Sequence, residues 1–137
     1  MADGYKTFAH EWFEEVWNKG DASAMDRLLL PDFVSHGLKH PAGGPVSGPS
    51  GLKPFHTAFR KAFPDIRIQI AETVSEGDML ACRCVVTGTH LGEGLAIPPT
   101  GKRVEFTGMV FIRLRDGRGI EAWNNFDLVG LREQIFG

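Results

Sequence analysis

Asp116-Gly117 and the two alternating runs it joins constrain this chain more than any other feature. They lie in VEFTGMVFIRLRDGRGIEAWNNFDLVGL, Val104 to Leu131. Before the turn, Val104, Phe106, Val110, Ile112 and Leu114 share one side of a two-residue period. Met109 and Phe111 put apolar groups on the other side, so both faces of this strand are expected to be at least partly covered. Gly117 tolerates the positive φ of a tight hairpin, and a return strand is expected over about Ile120 to Phe126. Continued alternation would set Glu121, Trp123, Asn125 and Asp127 on one face, with Asp127 at the strand exit beside an aromatic ring.

Before this hairpin the pattern is mostly helical. Asp3 is positioned to cap a helix to about Lys19, with Tyr5, Phe8, Ala9, Trp12, Phe13 and Val16 as its apolar stripe, and Gly20 ends it. Asp21 then caps a shorter helix, roughly Ala22 to Leu29, which Pro31 stops. Asp32 to His36 is expected as a short strand. Gly37 to Gly51, GLKHPAGGPVSGPSG, holds three prolines and five glycines, which is loop composition and the expected rim of any site. A third helix is expected over Ser50 to Phe63, with Pro54 in its first turn and Pro64-Asp65 after it. Strands over Ile66 to Val74 and Met79 to His90, turning at Glu76-Gly77-Asp78, form a second hairpin. A last short helix carries Leu128, Leu131 and Ile135. Helices grouped before a meander of antiparallel strands argue an α+β fold, with the helices on one face of a curved sheet.

At 137 residues the chain is expected to be a single domain over 1–137, able to bury roughly two-thirds of its unfolded surface. A net charge of -2 and a pI near 6.2, with no long basic run, give no reason to expect nucleic acid or an anionic membrane as partner. No segment approaches the ~18 apolar residues of a membrane span, and the start MADGYKTF has no signal character, so a cytoplasmic location is expected. Cys82 and Cys84, two apart on one strand, cannot bridge each other and are expected to be buried thiols.

The segments FPDIRIQI, EGDMLACRCVVTGTHLGEGLAIPPTGKRVEFTG, FIRLRDGRGIEAW and FDLVGLREQIFG together resemble the SnoaL-like polyketide cyclases of the nuclear transport factor 2 superfamily, over nearly the whole chain. The resemblance implies a cone-shaped fold in which a bent sheet wraps three helices around an apolar pocket, with frequent homodimerisation through the sheet. It also implies cofactor-free and metal-free intramolecular aldol closure of a polyketide-derived ester. An aspartate at the end of the last long strand serves there as acid/base, and Asp127 matches it. The segment Asn124-Asn125 and the Gly37–Gly51 loop are this chain's own.

Each candidate has an ordinary reading beside its functional one. Asp127 is either a helix N-cap or a carboxylate desolvated in an apolar pocket, poised to take a proton next to a carbonyl. His36, at a strand end, either is an ordinary histidine or donates to a substrate oxygen or to Asp127; His90, beside the IPPTGK loop, has the same two readings. His36 and His40 have metal-like spacing only on a helix, and no carboxylate pair accompanies them, so no metal site is expected. Trp17, Phe55, Phe59, Met109, Phe111 and Trp123 are core aromatics and thioether or the walls of a pocket for a flat hydrophobic ligand. Asn125 either orients a carbonyl or is a plain strand-end residue. No serine or cysteine lies in a nucleophile motif. An isomerase or hydratase on a small hydrophobic substrate, or a non-catalytic binding domain, remains the alternative; ketosteroid isomerase, of this superfamily, already exemplifies carboxylate tuning.

Overall fold

Helices and strands follow the chain order that the residues predict, and the sheet then folds back over the helices. The architecture is taken from a computed structural model, which describes residues 2–38, 46–94 and 97–137. Helix α1 (Ala2–Glu11) runs directly into a π-wound segment, Trp12–Asn18. Its wider winding is evident where Lys19 N donates to Glu14 O, five residues back, at 2.8 Å. Gly20, at φ 76°, ends the helix as expected. Asp3 lies within its first turn rather than ahead of it.

Two boundaries differ from expectation around Pro31. Helix α2 is only Ala24–Leu28, because Leu29 is already extended at φ -114° and ψ 145°. Strand β1 (Leu29–His36) thus begins before Pro31 rather than at Asp32. Its pairing shifts register between Leu29 and Val34, and this irregularity accommodates a residue with no N–H to give to a ladder.

The glycine- and proline-rich stretch is shorter as a loop than its composition suggests. Val46–Ser47 form strand β2 against Val34 and Ser35, and helix α3 runs Gly48–Ala62. Pro49 occupies the first turn of α3, so Pro54 lies in its interior, where the missing N–H leaves Ser50 without that helical bond. His40 lies outside the described residues.

Strands β3 (Arg67–Glu76), β4 (Met79–Thr89), β5 (Arg103–Arg115) and β6 (Arg118–Phe126) complete the sheet, and α4 (Leu128–Phe136) closes the chain. The strand order is β2-β1-β6-β5-β4-β3, with β1 and β6 parallel and the other neighbours antiparallel. The β5–β6 turn has Asp116 at φ 53° and Gly117 at φ 76°, the two positive angles of a tight hairpin turn. This is a mixed α+β fold with a curved, unclosed six-stranded sheet.

One face of the sheet packs on the helices: Leu80, Cys82, Cys84 and Val86 of β4 and Val104, Phe106, Val110 and Ile112 of β5 are all buried there. The longest strand outruns its neighbour, since β6 ends at Phe126 opposite Gly108. Gln134 of α4 takes the vacant place, accepting from Glu105 N at 2.7 Å and donating to Glu105 O at 2.8 Å. A side-chain amide thereby substitutes for the absent strand. Among the described residues no helix is long and apolar enough to cross a membrane.

Candidate functional site

Aromatic residues at helical spacing face the curved sheet without filling the space before it. Phe8, Trp12, Phe13 and Trp17 come from the first helix, and Leu52, Phe55 and Phe59 from α3. The sheet contributes Val86, Phe106, Val110, Ile112, Ala122 and Phe126, and the enclosed cavity measures about 410 Å³. That lies within the size range of small-molecule sites. Its described lining includes no Asp, Glu, Lys, Arg or His.

Two polar side chains that line this cavity are bonded to each other. Ser35, 2% exposed, is on β1 with the parity of buried Phe33, and Asn124 is on β6 between Ala122 and Phe126. Asn124 Nδ2 donates to Ser35 Oγ at 2.8 Å and to the His36 carbonyl at 2.8 Å. The carbonyl can only accept, so the amide orientation is fixed and Oδ1 remains an acceptor. Ser35 Oγ receives one of those hydrogens and keeps its own to donate. One donor and one acceptor therefore stand side by side in apolar surroundings, where hydrogen bonds are worth more than in water.

The expected site residues divide between the two faces of the sheet. Trp17, Phe55 and Phe59 line the cavity as anticipated. Met109 and Phe111 do not: they project from the outer face and are 56% and 52% exposed. Trp123 pairs with Phe111 across that same outer face, and Asn125 with Met109. Asn125 is exposed and also touches the cavity lining, which puts it at the opening.

Of the two readings of Asp127, the structure shows the helix cap and not a desolvated carboxylate. Alternation stops at Phe126, the chain turns at Asp127 (φ -76°, ψ 74°), and the exposed side chain caps α4 by accepting from Gly130 N at 2.8 Å. Its two neighbours, Phe126 and Leu128, both line the cavity, so the Asp127 backbone lies at the cavity edge while its side chain is turned to the helix end.

The histidines are likewise placed away from the lining. His36 stacks on Trp123 with ring centres 5.4 Å apart, and its Nε2 lies 2.7 Å from Glu121 Oε2, so it engages Glu121 rather than Asp127. His90 is fully buried; Thr100 N donates to its Nδ1 at 3.3 Å, and Nε2 has no acceptor among the described residues. His56, not singled out in the sequence, is 3% exposed and donates from Nε2 to Val16 O at 2.5 Å, its ring 5.0 Å from that of Trp17. Burial lowers its pKa from the ordinary 6.5, so the imidazole is held neutral. Burial also pushes the Cys82 and Cys84 thiols up to about 11 and about 12, which leaves both unreactive. Among the described residues no group of three or more His, Cys, Asp or Glu could hold a metal ion.

Residues 7–135 match the family model of SnoaL-like polyketide cyclase. The chain belongs to the SnoaL-like polyketide cyclase family. IdmH of Streptomyces antibioticus, a candidate polyketide cyclase, is 32% identical, with 97% of this chain and 99% of that one covered at a TM-score of 0.83. AclR of Streptomyces galilaeus, a candidate hydroxylase, is 29% identical over 99% of this chain and 97% of its own, at a TM-score of 0.84. A candidate SnoaL-like cyclase from Jannaschia sp. CCS1 shares the fold at a TM-score of 0.85, with 24% identity over 97% of this chain and 92% of its own. Among curated proteins nothing matches the sequence. In this SnoaL-like chain the site is thus an apolar cavity whose described lining is uncharged and holds one hydroxyl–amide pair, with Asp127 between two of the lining residues.

Ser35 does not stand out in the sequence, and Asn124 stands out there only within the Asn124-Asn125 segment and not as a site residue. A usable signal was present: Ala122 and Phe126 are the apolar members of one parity, and Asn124 lies between them.

Proposed function

We propose that this SnoaL-like protein closes a ring in a flat, hydrophobic, polyketide-derived ester by cofactor-free carbon-acid chemistry. The cavity carries this reading: it is large enough for a fused aromatic ligand, its described lining is uncharged, and its Ser35–Asn124 pair offers a donor and an acceptor to a carbonyl edge. A neutral ester enters such a lining at less cost than a free carboxylate, which would lose its hydration and meet no cation among the described lining residues.

In the proposed step Asp127, which follows the lining residue Phe126, removes a proton from the carbon next to the ester carbonyl. The enolate carbon attacks a ketone carbon of the same molecule, a C–C bond forms as the C=O π bond opens, and the new alkoxide recovers a proton. The product has the mass of the substrate. A positioned base contributes about 10²- to 10⁴-fold, and holding the chain folded contributes the larger share. The Ser35 hydroxyl donates to the oxygen on which negative charge develops.

The test is incubation with a keto-ester of this kind and detection of an isomer of unchanged mass that has lost one ketone carbon signal. An unchanged ester that nonetheless binds in the cavity would favour the non-catalytic reading, which the capped, exposed state of Asp127 also supports. Isomerisation or hydration of a small hydrophobic substrate would show as a product without the new C–C bond, hydration adding the mass of water.

We propose further that the protein is a homodimer through the outer sheet face. Val74, Ala81, Phe111, Trp123 and His36 form one lateral row across five strands of that face. Val74 and Phe111 are 68% and 52% exposed, and a second copy would cover them.

A further inference from the structure

We propose that Gly108 and Phe126 together set the size of ligand the cavity admits, with Gly108 acting as a specificity-determining residue. The inference rests on the cavity being the ligand site. Glycine in mid-strand is less favourable than alanine, so its place in β5 calls for a local reason. The reason is a ring. Gly108 and Phe126 are direct cross-strand partners, and a Cβ built on Gly108 would stand 2.0 Å from Phe126 Cδ1, 2.4 Å from Cε1 and 2.7 Å from Cγ. The phenyl group occupies the volume that any side chain at 108 would fill, the arrangement by which aromatic rings cover glycines in sheets.

The direction of that volume makes the contact functional. Gly108 is buried and shares its parity with Phe106, Val110 and Ile112, which line the cavity. A Cβ added there points inward, and it can be accommodated only by moving the ring off the strand. Reaching an ordinary carbon–carbon separation requires a shift of roughly 1.5 Å. The strand lies on one side of the ring and the cavity that Phe126 lines on the other, so the expected displacement is toward the cavity. Phe126 precedes Asp127 and stands near the rim, so the space lost is at the end of the cavity where the proposed chemistry takes place. The wild-type glycine keeps that end open for a longer fused-ring ligand, and even one methyl group shortens it.

The test is equilibrium binding of three neutral probes of increasing length, 1-naphthol, 1-hydroxyanthraquinone and 6-hydroxytetracene-5,12-dione, followed by quenching of tryptophan fluorescence from Trp12 and Trp17. Gly108→Ala should weaken the four-ring probe at least tenfold while 1-naphthol stays within twofold. Adding Phe126→Leu should restore the four-ring probe. Phe126→Leu alone leaves the glycine intact, so it reports even if Gly108→Ala does not fold, and it should raise the four-ring affinity relative to 1-naphthol. Uniform weakening of all three probes by Gly108→Ala, no change at all, or an unaltered ratio in Phe126→Leu would overturn the proposal while leaving the cavity as ligand site. Absence of quenching by every probe in the wild type would instead overturn the cavity itself and this inference with it.

Discussion

Asn124 and Ser35, one on β6 and the other on β1, meet through a 2.8 Å hydrogen bond that fixes both groups at the cavity wall. The bond joins residues far apart in sequence through the parallel pairing of the two strands. The second amide hydrogen goes to the His36 carbonyl, so the pair is anchored to the backbone as well.

Removing either partner should affect both binding and stability. Ser35→Ala deletes the free donor and is expected to weaken 1-hydroxyanthraquinone by about 5- to 10-fold, an amount typical of one net hydrogen bond, and it also leaves one amide hydrogen of Asn124 without its acceptor, which should lower the unfolding midpoint. Asn124→Leu also leaves the His36 carbonyl without that donor. It is expected to cost about 1–3 kcal/mol in denaturant unfolding, the range for an unsatisfied buried group.

Asp127 has two roles that different substitutions pull apart. Asparagine caps helices as well as aspartate does, so Asp127→Asn should retain wild-type stability while lowering ring-closure turnover by about 10²- to 10⁴-fold. Asp127→Ala loses the bond to Gly130 N and should additionally cost about 1 kcal/mol by chemical denaturation. Unchanged turnover in Asp127→Asn would remove this residue from the chemistry.

Burial of His56 gives stability a predictable pH dependence. Its folded pKa is depressed below 6.5, so the unfolded chain takes up this proton first as pH falls. The contribution is complete above about 6.5 and is lost as pH drops through the lowered folded value. His56→Gln, whose amide can still donate to Val16 O, should flatten this part of the profile in denaturant titrations between pH 7.5 and 5. An unchanged slope would show that His56 is not its source.

The outer face supplies a prediction about assembly. Phe111→Glu should convert a dimer to a monomer in sedimentation velocity at micromolar concentration, while the thermal unfolding of the monomer stays normal because Phe111 is 52% exposed and outside the core. A wild type that sediments as a monomer at the same concentration contradicts the dimer.

Local chemistry made much of the fold readable. Asp116-Gly117 carries the positive φ angles that a two-residue turn requires, and the flanking alternation follows from the pleat. Phe55 and Phe59 could be placed because helical spacing defines a face. The other half of the site depends on where the strand ends. Alternation through Asp127 places Trp123 and Asn125 on the cavity side, whereas the strand ends at Phe126 and Asn124 lines the cavity beside Ala122 and Phe126. The Ser35–Asn124 and His36–Glu121 contacts depend on β1 lying parallel to β6, a non-local pairing without a short-range signature. The π-wound turn that carries Trp12, Phe13 and Trp17 also escapes a search for a 3.6-residue period.

Deuterium uptake by a keto-ester substrate in D₂O, read by mass spectrometry on ester recovered before ring closure, tests the proposed chemistry most directly. Asp127 is exposed and exchanges its proton with solvent, so a carbanion formed and reprotonated at this site must acquire label. The account predicts deuterium at the carbon next to the ester carbonyl at a rate well above the protein-free control, reduced in Asp127→Asn. Ring closure by the wild type with uptake no faster than in the control, or uptake undiminished in Asp127→Asn, would contradict it.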